Sequence, residues 1–106
     1  MALVLLASAC ARNPERFYFG NYSEAERLYA DGQYEHAIQK YQAYIDENPE
    51  GNMAVISRYY IGKSQAALGH IDQAKTIFSD IIEKHPDVVW ANFSKTQLEE
   101  KNKSSS

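Results

Sequence analysis

The sequence has very little cysteine, and it lacks the motifs on which most catalytic sites depend. Cys10 is the only cysteine among 106 residues, so the chain can form neither an internal disulfide nor a cysteine-rich metal site. Its three histidines lie in separate segments, with no second ligand at metal-binding spacing. No glycine-rich phosphate loop, G-x-S-x-G or H-E-x-x-H motif occurs. We therefore expect no enzymatic activity, no metal and no cofactor.

Positive charge is also scarce. Lys and Arg total 11 against 14 Asp and Glu, which gives a formal net charge of −3. A nucleic-acid interface needs clustered Lys and Arg to neutralise phosphates, and the sequence has no such cluster. We therefore expect no binding to nucleic acid. Aromatic side chains are plentiful by contrast, with 8 tyrosines and 4 phenylalanines, and these favour tight packing and recognition surfaces.

A short apolar run, ALVLLASA, occupies residues 2–9 and is followed directly by Cys10. It is too short to cross a bilayer as a helix, which takes roughly 20 residues, but it suits a secretory signal with small residues at its cleavage site. It resembles the lipobox of bacterial lipoproteins. The resemblance implies a signal peptide at 1–10, a lipid anchor on Cys10 and, because Ala11 follows, sorting to the outer membrane. The alternative is a frayed apolar tail with a chance cysteine.

Residues 11–21 are predicted to form a tether between this segment and the folded domain. Pro14 disfavours a helix and Gly20 permits a turn. The aromatic run Phe17-Tyr18-Phe19 lies within this tether. We expect the run to fold back on the first helix or to mark a contact site.

Two segments of the chain align without gaps at an offset of 37 residues, namely 32–49 and 69–86. Each begins with glycine, which lets the chain leave a helix through a left-handed conformation, and each ends with proline, which cannot continue a helix. Ala37 and Ala74 are small enough for two helices to approach closely. Tyr41 and Phe78 follow four residues later and fill the space between neighbouring helices.

These repeats resemble the tetratricopeptide repeat, which places small, aromatic and proline residues at these positions. The resemblance implies an all-α fold of antiparallel helix hairpins, with two repeat units and a C-terminal capping helix in a short right-handed superhelix. The domain is predicted at 22–102, with a disordered tail at 103–106. Helices are predicted at 22–31, 34–48, 53–68, 71–85 and 88–101. Ser23 with Glu26, Asn52 and Asp87 are the predicted N-terminal capping residues.

The resemblance also implies a concave binding groove lined by the first helix of each repeat. Aromatic side chains beside a few polar groups suit a peptide or a partner helix. The predicted groove residues are Tyr22, Glu26, Tyr29, Ile56, Tyr59, Tyr60, Lys63, Phe93 and Gln97. An alternative for several of these tyrosines is that they pack against one another instead.

Two functions remain open from the sequence. The first is a lipid-anchored adaptor at the periplasmic face of the outer membrane, resembling small bacterial lipoproteins that help to assemble envelope or secretion complexes. The second is a cytosolic adaptor or regulator with a spurious apolar N-terminus. In both cases the expected partner is a protein or peptide, and a second copy of the chain is an alternative occupant of the N-terminal edge, because so short an array buries its end faces poorly.

Overall fold

A computed structural model describes residues 19–105 of the chain, and this part contains five α-helices and no β-strand. The helices are α1 (Asn21–Ala30), α2 (Tyr34–Glu47), α3 (Asn52–Ala67), α4 (Ile71–Lys84) and α5 (Val89–Ser105). Each helix packs mainly on its neighbours in sequence, and α3 also contacts α5. The predicted all-α helical repeat is therefore confirmed. The predicted signal peptide, Cys10 and the tether up to residue 18 lie outside the described residues.

The loops that follow α1 and α3 have the same hydrogen-bonded turn. The N–H of Gly32 donates to the carbonyl of Tyr29 (3.0 Å), and the N–H of Gln33 donates to that of Leu28 (2.9 Å). Gly69 and His70 repeat this pattern 37 residues later. Both glycines have positive φ, 80° and 88°, as the predicted left-handed helix exit requires.

The predicted helix N-caps are wrong. Asn52 lies inside α3, which begins after Gly51 without a side-chain capping bond. Asp87 precedes Val88 and lies in the turn before α5. Ser23 is the third residue of α1, and its Oγ accepts a hydrogen bond from the N–H of Phe19 (2.8 Å). The helix starts therefore rely on backbone turns and tertiary packing, which a local capping pattern does not reveal.

The α5 helix continues to Ser105, past the predicted end at residue 101 and into the segment predicted as a disordered tail. The sequence from Glu99 onward contains no glycine or proline before this point, so nothing in it interrupts the helical hydrogen bonds.

The core consists of two neighbouring clusters that share their border residues. One is centred on Tyr41 of α2 and the other on Phe78 of α4, which are 1 % and 0 % exposed. Ala37 and Ala74 are completely buried, as expected where helices lie close together. Tyr60 and Ile77 pack against both clusters and so connect them.

Candidate binding surface

Ten aromatic rings form one connected cluster that runs from α1 across α3 to α5, and we call it the aromatic cluster. Every ring contacts at least one other at a centroid distance between 5.0 and 6.2 Å. Its members are Tyr22, Tyr29, Tyr34, Tyr41, Tyr44, Tyr59, Tyr60, Phe78, Trp90 and Phe93. Such ring contacts add to the stabilisation that burial itself provides.

Tyr60 is the centre of the aromatic cluster. Its ring stacks on that of Tyr41 at 6.0 Å and meets those of Tyr29, Tyr59 and Trp90 edge-on at 5.0, 5.3 and 6.0 Å. The helices α1, α2, α3 and α5 all supply one of these neighbours. Tyr60 therefore lies where rings from four helices meet.

Exposure divides the cluster into a buried floor and an accessible side. Tyr41, Tyr59 and Phe78 are buried, whereas Tyr22, Tyr29, Tyr60 and Trp90 are half-buried. Phe93 is 43 % exposed, which is unusual for so large an apolar side chain. Tyr59, predicted in the groove, is 7 % exposed and belongs to the core cluster around Phe78, so it supports this surface from below.

A cleft beside the aromatic cluster brings together α1, α3 and α5. It encloses about 350 Å³. Three predicted groove residues line it, Tyr29, Lys63 and Gln97, together with Glu100 and Lys101. The Lys101 ammonium donates a hydrogen bond to Gln97 Oε1 (2.9 Å), and Gln97 also hydrogen-bonds the Tyr59 side chain. These bonds join the polar cleft to the aromatic floor.

The remaining predicted groove residues are Glu26 and Ile56. Glu26 is exposed and hydrogen-bonds the Tyr22 side chain, one turn earlier on α1. Ile56 is half-buried on α3 and lies four residues before Tyr60, hence on the same side of the helix. Of the aromatic run at the N-terminus, only Phe19 is described, and it is 53 % exposed.

Sequence reasoning missed Trp90, whose ring lies 5.1 to 6.0 Å from those of Tyr59, Tyr60 and Phe93. At the 37-residue offset it aligns with Met53, so the repeat gave no aromatic signal there. Its position three residues before Phe93 on one helix could have identified it.

Burial raises the pKa of four tyrosines of the aromatic cluster. The pKa of Tyr22 is raised to about 12 by burial, and next by the negative charge of Glu26. Burial is also the main cause that raises the pKa of Tyr29, Tyr41 and Tyr59. At physiological pH the half-buried Tyr22 and Tyr29 present neutral rings and hydroxyl groups, which suit recognition, while Tyr41 and Tyr59 lie beneath them.

Within residues 19–105, no group of three or more His, Cys, Asp or Glu side chains could hold a metal ion. None of the helices described is long and apolar enough to cross a bilayer.

The sequence profile of the tetratricopeptide repeat matches residues 28–94, which is more than half of the chain. This range begins near the end of α1 and extends into α5. A search of curated proteins finds no match. The profile match, together with the five packed helices and the 37-residue repeat, shows that the chain belongs to the tetratricopeptide repeat family.

Proposed function

We propose that this chain is a non-enzymatic adaptor that binds a segment of a partner protein on the accessible side of the aromatic cluster. Membership of the tetratricopeptide repeat family supports a role in protein–protein interaction. The observation that carries the proposal is the continuous series of partly exposed rings from Tyr29 through Tyr60 to Trp90 and Phe93. Rigid aromatic side chains give a large contact area at a low entropic cost, and they dominate many interfaces.

A photo-crosslinking experiment tests this function. We would place p-benzoylphenylalanine at position 93, where Phe93 is 43 % exposed, and at position 73, where Gln73 is exposed on α4. Irradiation in the native cell should join the position-93 variant to a defined partner, which Phe93→Ala should bind more weakly than the wild type. Crosslinks of equal yield to the same proteins from position 73 would contradict the proposal.

We further propose that the chain is anchored to the periplasmic face of the outer membrane by lipid on Cys10, as part of an envelope or secretion complex. The support for this anchor comes from the amino-acid sequence. The only cysteine directly follows an apolar run that ends in small residues. Two or more acyl chains suffice for stable anchoring, since each buried CH₂ contributes about 0.8 kcal/mol.

Metabolic labelling with palmitate tests the anchor. The wild-type chain should incorporate label and fractionate with membranes, whereas Cys10→Ser should lose both properties. An unlabelled wild-type chain that stays in the cytosol would favour the alternative adaptor without an anchor. The binding proposal would stand in that case, because it depends on residues 19–105 alone.

A further inference from the structure

A groove lies between α2 and α4, on the side of α3 that faces away from the aromatic cluster. It consists of two adjoining cavities of about 260 and 240 Å³, and Arg58 of α3 and Asp80 of α4 line both of them. Tyr60 follows Arg58 by two residues and so lies about 200° further round the helix. No ring of the aromatic cluster lines either cavity. The groove is therefore a second surface, separate from the one proposed above for binding.

The two cavities differ in polarity. Ile45, Ile61 and Ile77 line the first cavity, and the first two of these are only 6 % and 7 % exposed, so the core holds them in place. Glu50 and Lys84, which carry opposite charges, line the second cavity. The first cavity therefore suits an apolar side chain, and the groove as a whole has no excess of one charge.

Arg58 and Asp80 both have hydrogen-bonding capacity left. The Arg58 guanidinium donates one long hydrogen bond, to the carbonyl of Pro49 (3.5 Å), and within residues 19–105 neither side chain forms an ion pair. A donor and an acceptor of opposite charge at the same cavities select neither a cation nor an anion. They suit an uncharged group that offers an acceptor to Arg58 and a donor to Asp80, and a peptide unit has both.

We propose that this groove binds an extended, uncharged segment of a second partner, with one branched apolar side chain in the cavity lined by the isoleucines. A main-chain carbonyl beside that side chain accepts from Arg58, and the N–H of the same residue donates to the Asp80 carboxylate. In an extended segment the neighbouring side chains point away from the groove, so one side chain is selected. The inference goes beyond the proposed function, because two opposite surfaces let one copy of the chain hold two partners.

A capped peptide, acetyl-Thr-Leu-Thr-Thr-amide, tests this assignment. Its β-branched threonines favour an extended main chain. In a titration of the ¹⁵N-labelled full chain, amide resonances around Arg58 and Asp80 should shift, and those around Phe93 should not. The matched peptide with serine in place of leucine should bind roughly 5- to 10-fold more weakly. Equal affinity of the two peptides, shifts centred on Phe93, or no shift at millimolar peptide would each overturn the proposal.

Two charge-matched variants test the contact to the main chain. Asp80→Ala should lower the affinity for the leucine peptide roughly 3- to 10-fold. Glu83→Ala removes the same charge from an exposed position of α4 that lines neither cavity, and it should leave the affinity unchanged. Equal losses in the two variants would show that only net charge matters, which would overturn the assignment.

Methylation of the leucine N–H completes the test, because it removes the donor that Asp80 is proposed to bind. It should weaken binding to the wild type by a factor similar to that of Asp80→Ala, and it should cost little more in that variant. If methylation costs the same in both proteins, Asp80 does not bind this N–H and the assignment is wrong. The proposed function would stand in that case, since the crosslink from position 93 reports on the opposite side of α3.

Discussion

Two of the three fully buried serines donate a hydrogen bond and the third has no partner in the described part of the chain, and this difference has a measurable consequence. Ser57 Oγ donates to the carbonyl of Met53 (2.8 Å), and Ser94 Oγ donates to that of Trp90 (2.7 Å). Ser64 Oγ is buried without a hydrogen-bond partner among the described residues. Because an unsatisfied buried hydroxyl costs about 1–3 kcal/mol and alanine is the better helix former, Ser64→Ala should raise the free energy of unfolding by about 1 kcal/mol.

Urea denaturation checks this prediction, with Ser57→Ala as the matched control. That variant loses a satisfied hydroxyl, so its free energy of unfolding should change less. A Ser64→Ala variant less stable than the wild type would mean that the hydroxyl is bonded in solution.

Gly62 is the residue at which the close approach of α3 and α4 can be tested. A Cβ built there would lie 2.8 and 2.9 Å from Cε1 and Cζ of the buried Phe78 ring. In an isolated helix, alanine would be favoured over glycine by roughly 1 kcal/mol. Here overpacking should prevail, and Gly62→Ala should lower the free energy of unfolding by about 1–3 kcal/mol. A thermal melt that shows stabilisation would mean that the helices separate at little cost.

At the scale of the helix, α5 differs from α3 because most of its outer face is polar. In α3, Val55, Tyr59 and Gly62 face α4 and its Phe78 ring. The residues 37 positions later in α5 are Asn92, Thr96 and Glu99, and all three are exposed. A polar face of this kind is typical of a capping helix, so we predict that α5 acts as the C-terminal cap of the array.

Apolar residues on the outer face of α5 should cause the domain to self-associate through this helix. Asn92→Val with Thr96→Tyr reproduces the residues of α3, so the domain should self-associate with increasing concentration in sedimentation experiments. The control places the same residue types at the exposed positions of α2, as Glu35→Val with Gln39→Tyr. If both pairs of substitutions associate equally, surface hydrophobicity in general would be responsible, and α5 would have no special role as a cap.

The same 37-residue register explains which elements the sequence could predict. Ala37 with Ala74, and Tyr41 with Phe78, mark the second helix of each hairpin because packing requires small and aromatic residues at fixed positions. Helix starts depend on local alternatives that are close in energy, so the caps at Asn52 and Asp87 were not predictable in this way.

At the scale of the whole molecule, the candidate site was only partly predictable. The groove residues that occupy equivalent positions of α1 and α3, such as Glu26 and Lys63, follow from the 37-residue register. Tyr59 is adjacent to Tyr60 but faces the core, and sequence alone does not say which neighbour is covered by α5. Trp90 has no aromatic counterpart in the other repeat. Such tertiary contacts override a periodic pattern.

The raised pKa values of four tyrosines in the aromatic cluster predict that alkaline pH will unfold the domain. The pKa of Tyr22 rises from 10.0 to about 12 in the folded state, and those of Tyr29, Tyr41 and Tyr59 are also raised. Below about pH 10 the tyrosines are protonated in both states, so these pKa shifts leave the stability unchanged there. As the pH rises further, the unfolded chain releases these protons first, and the free energy of unfolding should fall.

Circular dichroism and near-ultraviolet absorbance during a titration to high pH should therefore report one event, in which helix is lost as the tyrosines ionise. Tyr22→Phe removes one of the ionising groups responsible. Between neutral and high pH, the free energy of unfolding of this variant should therefore fall by less than that of the wild type. Because Tyr60 and Ile77 pack against both core clusters, the two hairpins should unfold together. Ionisation of the tyrosines with full retention of helix would show that their hydroxyls are accessible to solvent, and that the aromatic cluster does not hold the five helices together.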